Sequence, residues 1–570
     1  MDNAKLQRLL TDPTRMPMVS WYDPAVLFRS GVRATLAQLF GRHSDRRLIE
    51  ALGSQPQSAF DYTKEEASDF WFDYVADLGD GWNSTYAVAY WLSQPELALR
   101  TADGAGASTR AGRVLLFGGD QVYPYPSRQA YEQGTEKPYA TALAGHEKRP
   151  DVFAVPGNHD WYDSLVAFSR TFCRPERGFA ACRTQQTRSY FALRLPHHWW
   201  VLGADLQLGD DLDEPQVQYF QRVAEALEED ARIVLCMPEP QWIYELSVQQ
   251  DPSPDAAAAR FLEQNILKRK ISVFIAGDLH CYRRHETDEG VQKIVWGGGG
   301  AFLRPTHMRH RARLVDGSQP KAAYPPPATS RRIAWRNLLF PFLNPRFFWL
   351  PALLYTLSAW FASTNLSEAT AATARSALRA TLAEAVRDPV VGLWLLLFIG
   401  AFVAFTDTHV KWYRVAGGIV HAVAHLLLAF AIGWAALRLA EVWVGEPFGA
   451  PSHLLLARVI TFVLSGFAGS WLIGLYLLIS IQIFGRHEQH AFSSLRVQDY
   501  KGWLRMRIDT AGALTLFAVG IDRVPRRWKD TKSAVGALVE PDDPSASPPH
   551  LIEQIVISGT AAVPRAANWR

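Results

Sequence analysis

A chain of 570 residues exceeds what one hydrophobic core ordinarily organises, so two or more structural units are expected. Its net charge of +3 excludes the strongly basic surface of a nucleic-acid-binding protein. Four cysteines, Cys173, Cys182, Cys236 and Cys281, exclude a disulfide framework and suit a reducing compartment.

Residues 1–65 read as a helical N-terminal extension, with Val26, Leu27, Val32, Leu36, Leu39 and Phe40 at helical spacing. Packing on the domain that follows is the preferred place for it, ahead of a membrane surface. Met1 to Arg15 lacks the long apolar core of a secretory signal, so the N-terminus is expected to stay in the cytoplasm. Phe70 to Ala76 is a strand that ends at Asp77; Ser84 to Leu92 is helical, and Thr101 to Arg113, rich in Gly, Ala and Ser, is a loop. Arg113-Val-Leu-Leu-Phe-Gly-Gly-Asp120 is an apolar strand running into glycines and then an acid. Val152 to Val155 runs into Pro156-Gly-Asn-His-Asp160, and Ile271-Ser-Val-Phe-Ile-Ala-Gly-Asp278-Leu-His280 repeats the pattern. Strands ending this way are expected to lie side by side in one sheet, their carboxyl ends lining a shared crevice. Further strands are expected at Tyr190–Leu195, Trp199–Asp205, Ile233–Met237 and Lys293–Trp296, with a helix over Gln216–Leu227; the alternation favours an α/β fold. Residues 315–346, containing Tyr324-Pro-Pro-Pro, read as a stiff linker.

Beyond the linker the character changes. Phe347–Thr364, Pro389–Thr406, Val415–Leu437 and Val459–Gly485 contain no Asp, Glu, Lys or Arg, and within 347–485 four transmembrane helices are expected. Arg331, Arg332, Arg336, Arg346, Lys411, Arg414, Arg486 and Arg496 fall on one side of these spans. Arg375, Arg379, Arg387, Arg438 and Arg458 fall on the other. The bias agrees with an inner-membrane protein whose N- and C-termini are both cytoplasmic. Gly502–Asp509 and Leu514–Ile521 alternate like a hairpin, which alone is marginal in water. The segment 486–570, with Ile552–Ile557 as a candidate third strand, is therefore expected to dock on the domain at 66–314, making the membrane segment an insertion.

The ordered blocks Asp77-Leu-Gly79, Gly119-Asp120-Gln-Val-Tyr123, Gly157-Asn-His-Asp160 and Gly277-Asp278-Leu-His280 resemble the signature of the calcineurin-like metallophosphoesterases. The Asp77-x-Gly79 and Asp120-x-x-Tyr123 forms look most like the purple acid phosphatase branch. The resemblance covers about the first half of the chain. It implies a four-layer α/β/β/α sandwich and two divalent or mixed-valence metal ions, Fe, Mn or Zn with Mg possible. By the same resemblance Asp120 bridges the two; Asp77, Tyr123 and His280 complete the first site, and Asn158 with Asp278 builds the second. His159 is implied as proton donor or phosphate contact, oriented by Asp160.

Two departures bear on the second site. The block expected to supply a histidine aligns as Met237-Pro238-Glu239-Pro240, leaving Glu239 as a substitute ligand, or Cys236 if the alignment shifts; and Asp278 stands where the last block has its first histidine. Asp80 reads equally as a ligand or a helix cap. Gly298 and Gly299 read as backbone donors to a phosphate or as a tight strand exit. His307 and His310 are placed in a loop in preference to the site. His421 and His425, one helical turn apart inside the third apolar run, suit metal, haem or proton transfer less well than interhelical hydrogen bonding. The expected activity is hydrolysis of a phosphate ester, monoester or diester, at the bilayer, with a lipid-derived ester as one candidate substrate. The alternative is a degenerate fold acting as a membrane-bound scaffold or sensor.

Overall fold

A computed structural model describes residues 3–40, 59–65, 68–206, 212–244, 254–308, 313–363, 366–406, 410–445, 447–531 and 536–558. They divide into two compact units. One is drawn from Met1–Val19, Arg29–Ser330 and Arg496–Arg570, the other from Ser20–Phe28 and Arg331–Leu495.

The first unit is mixed α/β. Its site-bearing strands are β1 (Phe70–Val75), β2 (Val114–Gly118), β3 (Asp151–Val155), β4 (Arg232–Cys236) and β5 (Val273–Ala276); two more, β6 (Lys501–Ile508) and β7 (Leu514–Ile521), come from the far end of the chain. In a seven-stranded sheet β1, β2 and β3 run parallel, and β6 pairs antiparallel with the free flank of β1. Beyond β6 lies β7, and beyond that the strand His550–Ile557. In an eight-stranded sheet β4 and β5 are parallel neighbours. Both faces of β1, β2 and β3 are covered, so they read as unbroken apolar runs and not as an alternation. Phe72, Tyr74, Leu116 and Phe153 share a buried core with Val234, Ile275 and Trp296 of the other sheet. Trp71, Leu115 and Phe117 pack instead with Tyr86, Phe168 and Phe172.

The β1–β6 contact carries a buried ion pair. Arg505 lies opposite Asp73 and meets it through Nε–Oδ1 at 2.7 Å and Nη2–Oδ2 at 3.1 Å, with its remaining donors on the Leu92 carbonyl and Thr109. Both side chains are essentially inaccessible, so the pair holds only because each charge has the other. At the N-terminus, helix Asn3–Thr11 reaches the segment around 132–136 through Lys5–Glu136 and Arg8–Glu132 ion pairs.

Three expectations change here. The loop at 101–113 contains half of a two-stranded ribbon, Glu96–Arg100 with Gly106–Arg110, whose Leu97 and Leu99 point inward; small residues on the second strand hide its pairing. The linker contains the strand Gln319–Tyr324, an edge strand that pairs with Tyr282–Glu286 and tolerates Pro320 for that reason. The third change concerns the spans.

All four apolar runs are helical: α1 (Trp349–Ser363), α2 (Pro389–Phe405), α3 (Lys411–Val444) and α4 (Pro451–Ile479). Among the described residues two stretches, Lys411–Trp443 and Pro451–Phe484, have the length and hydropathy of a span; the pair Ala374–Arg387 and Pro389–Phe405, bent by 100°, is a third if taken together. With 15 residues in α1 and 17 in α2, these helices run about 22 and 25 Å at 1.5 Å per residue, short of a ~30 Å hydrocarbon core. The apolar runs outlast the helices because Phe347 belongs to the turn Pro345–Phe348 and Thr406 caps α2. Outward-facing Leu396 (70% exposed), Val420 (69%) and Leu455 (64%) give these helices an apolar exterior suited to lipid. Small residues let them approach: a Cβ on Gly418 would lie 2.6 Å from Val403 Cα, and one on Gly469 2.5 Å from Pro351 Cβ.

Candidate metal centre

The carboxyl ends of β1, β2, β4 and β5, with the turn after β3, meet at one place. Past β1 and β2 the pairing continues, Asp77 N–H donating to Gly119 O and Leu78 N–H to Asp120 O. This brings Asp77 and Asp120 together in a left-handed backbone, φ 59° and 51°; Asp278 and His280 share it at 67° and 44°. Side chains avoid that region, at roughly 1–3 kcal/mol each, and such strain gathers at functional sites. Two glycines keep the space clear. A Cβ on Gly157 would stand 2.1 Å from Asp120 Oδ1, and one on Gly297 1.9 Å from Asp77 Oδ2.

Four expected ligands converge on one atom. The Tyr123 hydroxyl lies 3.0 Å from Asp77 Oδ1, 3.0 Å from Asp120 Oδ2 and 3.0 Å from His280 Nε2. His280 Nδ1 is 2.8 Å from the Phe302 carbonyl, which only accepts, so that nitrogen carries the proton and Nε2 presents its lone pair. One phenolic proton therefore faces three acceptors, and Asp77 Oδ2 is buried without a hydrogen-bond partner. Burial, and then the neighbouring carboxylates, push the Asp77 carboxyl well above its usual range and Asp120 to about 7; burial holds His280 well below its ordinary value. A cation reverses each of these costs. Among the described residues no three His, Cys, Asp or Glu side chains form a metal-holding group by themselves. The fit thus depends on the Tyr123 oxygen, and with it the set Asp77, Asp120, Tyr123 and His280 has the O and N donors of an Fe, Mn or Zn site.

The residues expected around a second ion do not fit one. Asn158 Nδ2 donates to the Tyr162 hydroxyl at 3.2 Å. Asp278 Oδ2 accepts from the Tyr244 hydroxyl and lies 3.3 Å from Arg304 Nη1, which also donates to the Asp278 carbonyl at 2.7 Å. Cys236 sits wholly buried inside β4 among core side chains, its thiol pushed up by burial, and is not a ligand. Glu239 is half-buried just past β4 and feeds negative potential to Tyr162. Pro238 reaches the crevice, 3.0 Å from where a Cβ on Gly119 would stand, and brings no donor side chain.

His159 lies at the rim, its N–H donating to Asp120 Oδ1 at 2.9 Å and its Nδ1 to the Pro124 carbonyl at 2.7 Å. Burial lowers it to about 4, so in the substrate-free protein it is neutral with Nδ1 protonated. A donor role requires a second proton at Nε2, which an anionic phosphate alongside favours.

Asp160 does not orient that ring. It accepts from the Gly157 and Gln121 N–H groups and from the Tyr131 hydroxyl, tying the turn after β3 to the one after β2. Asp80 does not cap the helix that follows it. Its oxygens accept from Val19 and Phe302 N–H, and Gly81 precedes the helix. Gly298 and Gly299 are close-packing positions and not a phosphate cradle. The Gly299 N–H donates to Ala76 O, and Gly298 O accepts from Gly502 N–H. His307 is buried in a loop on Ser330 Oγ, and His310 lies outside the described residues. In the second unit, His425 Nδ1 bonds the Tyr355 hydroxyl of α1 at 2.6 Å, an interhelical hydrogen bond, and its Nε2 lies 3.0 Å from His421 Nε2 within α3.

Arg304, Tyr244 and Tyr162 were not singled out by the sequence, since none belongs to a motif. No protein-family model matches the chain, and no curated protein matches it. Among solved structures it is similar to GAP50, the anchor in the inner membrane complex of Plasmodium, at TM-score 0.31 and 13% identity over 42% of this chain and 74% of that one. It is also similar to purple acid phosphatase PPD1 from yellow lupin (Lupinus luteus) seeds, at TM-score 0.28 and 13% identity over 41% and 45%. PhoD scores 0.28 at 12% identity over 41% and 58%. The chain therefore spans about half the length of these two phosphatase-type neighbours. Likeness of this strength leaves function to be argued from the residues.

Proposed function

We propose that the chain is a membrane-anchored, metal-dependent phosphoric ester hydrolase that cleaves a phosphomonoester or phosphodiester with water, on a four-layer sandwich. The observation that carries this reading is the single Tyr123 proton facing Asp77 Oδ1, Asp120 Oδ2 and His280 Nε2. Three buried acceptors around one oxygen repel one another until a positive ion or extra protons arrive. Bound there, an Fe, Mn or Zn ion supplies Lewis acidity toward a phosphoryl oxygen and a water acidic enough to attack.

The chain's own residues do the rest. Asp120 holds the His159 backbone through Oδ1 while turning Oδ2 to the Tyr123 hydroxyl, so one side chain sets the spacing between the ion site and the rim. His159 Nε2 contacts the phosphate and, once protonated beside it, returns a proton to the leaving oxygen. Asp160 fixes the two turns that carry these groups.

Two stretches with the length and hydropathy of a span support anchoring. Segments before and after the helices share one sheet through β1 and β6, so an anchored chain would leave the bilayer on the side it entered, with an even number of crossings. The basic residues favour the cytoplasmic side for both ends. A substrate at the bilayer, such as a lipid-derived phosphate ester, suits this placement.

Purified protein assayed with aryl phosphate mono- and diesters, with and without a chelator, tests the reading. Metal-dependent turnover lost in Asp120→Asn and His159→Ala supports it. Metal-free protein inert with every divalent ion supplied leaves a scaffold or sensor, the reading favoured by the tie of Asp278 to Arg304 and Tyr244.

A further inference from the structure

Resting on the hydrolase reading, we propose that the centre holds one metal ion, and that the Arg304 guanidinium provides the second positive charge facing the substrate phosphate. A second cation beside Asp120 would need donors from Asn158, Asp278 and the end of β4. The β4 end offers Pro238, which has no donor side chain, and Asp278 Oδ2 already accepts from the Tyr244 hydroxyl and from Arg304 at 3.3 Å; Asn158, whose Nδ2 is on Tyr162, brings a single amide oxygen, too few donors to hold a second ion.

Arg304 is built into this place. Only 8% of the residue is exposed, and Nη1 is fixed at 2.7 Å on the Asp278 carbonyl, within a backbone already strained at φ 67°. Its charge is felt across the centre, pulling the carboxyls of Asp77 and Asp120 down and opposing protonation of His159 and His280. A guanidinium keeps its charge at any working pH, and with Nη1 held on Asp278 it is this fixed charge, not a bidentate fork, that takes the charge-clamping share of a second ion. Asp278 and Tyr244 are positioning residues: they aim the guanidinium and do not touch phosphate.

Two measurements on the full chain in detergent test this. The first is metal content after incubation with excess Fe, Mn or Zn and desalting. One equivalent is expected in wild type, none in Asp120→Asn, and still one in Arg304→Gln and Asp278→Asn. The second is steady-state kinetics with an aryl phosphate. In Arg304→Gln, KM is expected to rise at least tenfold and kcat to fall, with partial recovery of KM in Arg304→Lys.

Two equivalents in wild type, falling to one in Asp278→Asn, overturn the proposal while leaving the hydrolase intact. Unchanged KM in Arg304→Gln at one bound metal also overturns it. Metal-free, inactive wild type overturns the hydrolase and this proposal together. Asp278→Asn keeps the metal count decisive should Arg304→Gln fail to fold.

Discussion

Of the buried oxygen and nitrogen clusters among the described residues, the one at the strand ends and the one among the helices are satisfied in opposite ways. Around Tyr123 acceptors outnumber protons, carboxylates crowd together, and Asp77 Oδ2 has no partner. Along Tyr355, His425 and His421 each contact can pair a donor with an acceptor, and His421 Nδ1 is left over. The first arrangement calls for an ion or extra protons, and the second ties two helices together with neither. Burying polar atoms is therefore no sign of function by itself; an excess of acceptors is.

The contrast can be broken most forcefully at Asp120. Asp120→Asn is expected to cut phosphate-ester turnover by about 10³-fold or more while leaving the circular dichroism spectrum unchanged, since it removes both charge and an ion ligand. Retained turnover would erase the difference between the clusters. Next comes the buried pair that seats β6. Arg505→Ala is expected to destabilise the first unit by about 3–5 kcal/mol in denaturant unfolding, because Asp73 stays buried without its cation.

A third test uses Lys501, fully buried with Nζ unpartnered, whose pKa burial lowers to about 7 despite Asp499 and Asp80 nearby and with Arg526 opposing them. A folded pKa below the unfolded value means that stability is fully present above about 10.5 and is lost as pH falls toward 7, at about 1.4 kcal/mol per unit. Lys501→Met is expected to flatten that slope in pH-dependent melts. The smallest effect belongs to the helices. His425→Ala or Tyr355→Phe should lower thermal stability in detergent by about 0.6–1.7 kcal/mol and leave turnover unchanged. A large loss of turnover there would move function into the bundle.

The legible parts of the site share a physical cause. A strand covered on both faces reads as an apolar run, and a chain that must turn at its end writes glycine beside the acid, as at Gly119-Asp120 and Gly277-Asp278. Arg304 and Tyr244 leave no such trace, because they meet Asp278 from 26 residues after it and 34 residues before it. Asp160 misled for the opposite reason: it sits in a motif, yet its carboxylate spends both oxygens on backbone N–H groups and a phenol. Gly298 and Gly299 resembled an anion cradle, whereas they admit β1 and β6 backbone at close range. The helices were overcounted as spans because apolar composition continues past the residues that hold helical geometry.

The pairing of β6 with β1 also fixes an order of events. Residues 501–521 leave the ribosome after the whole hydrophobic segment, so until then β1 is an open sheet edge carrying a buried acid, Asp73, with no counter-charge. A chain interrupted within the helices already contains Asp77, Asp120, Tyr123 and His280, yet lacks the neighbour that closes the sheet bearing the first of them.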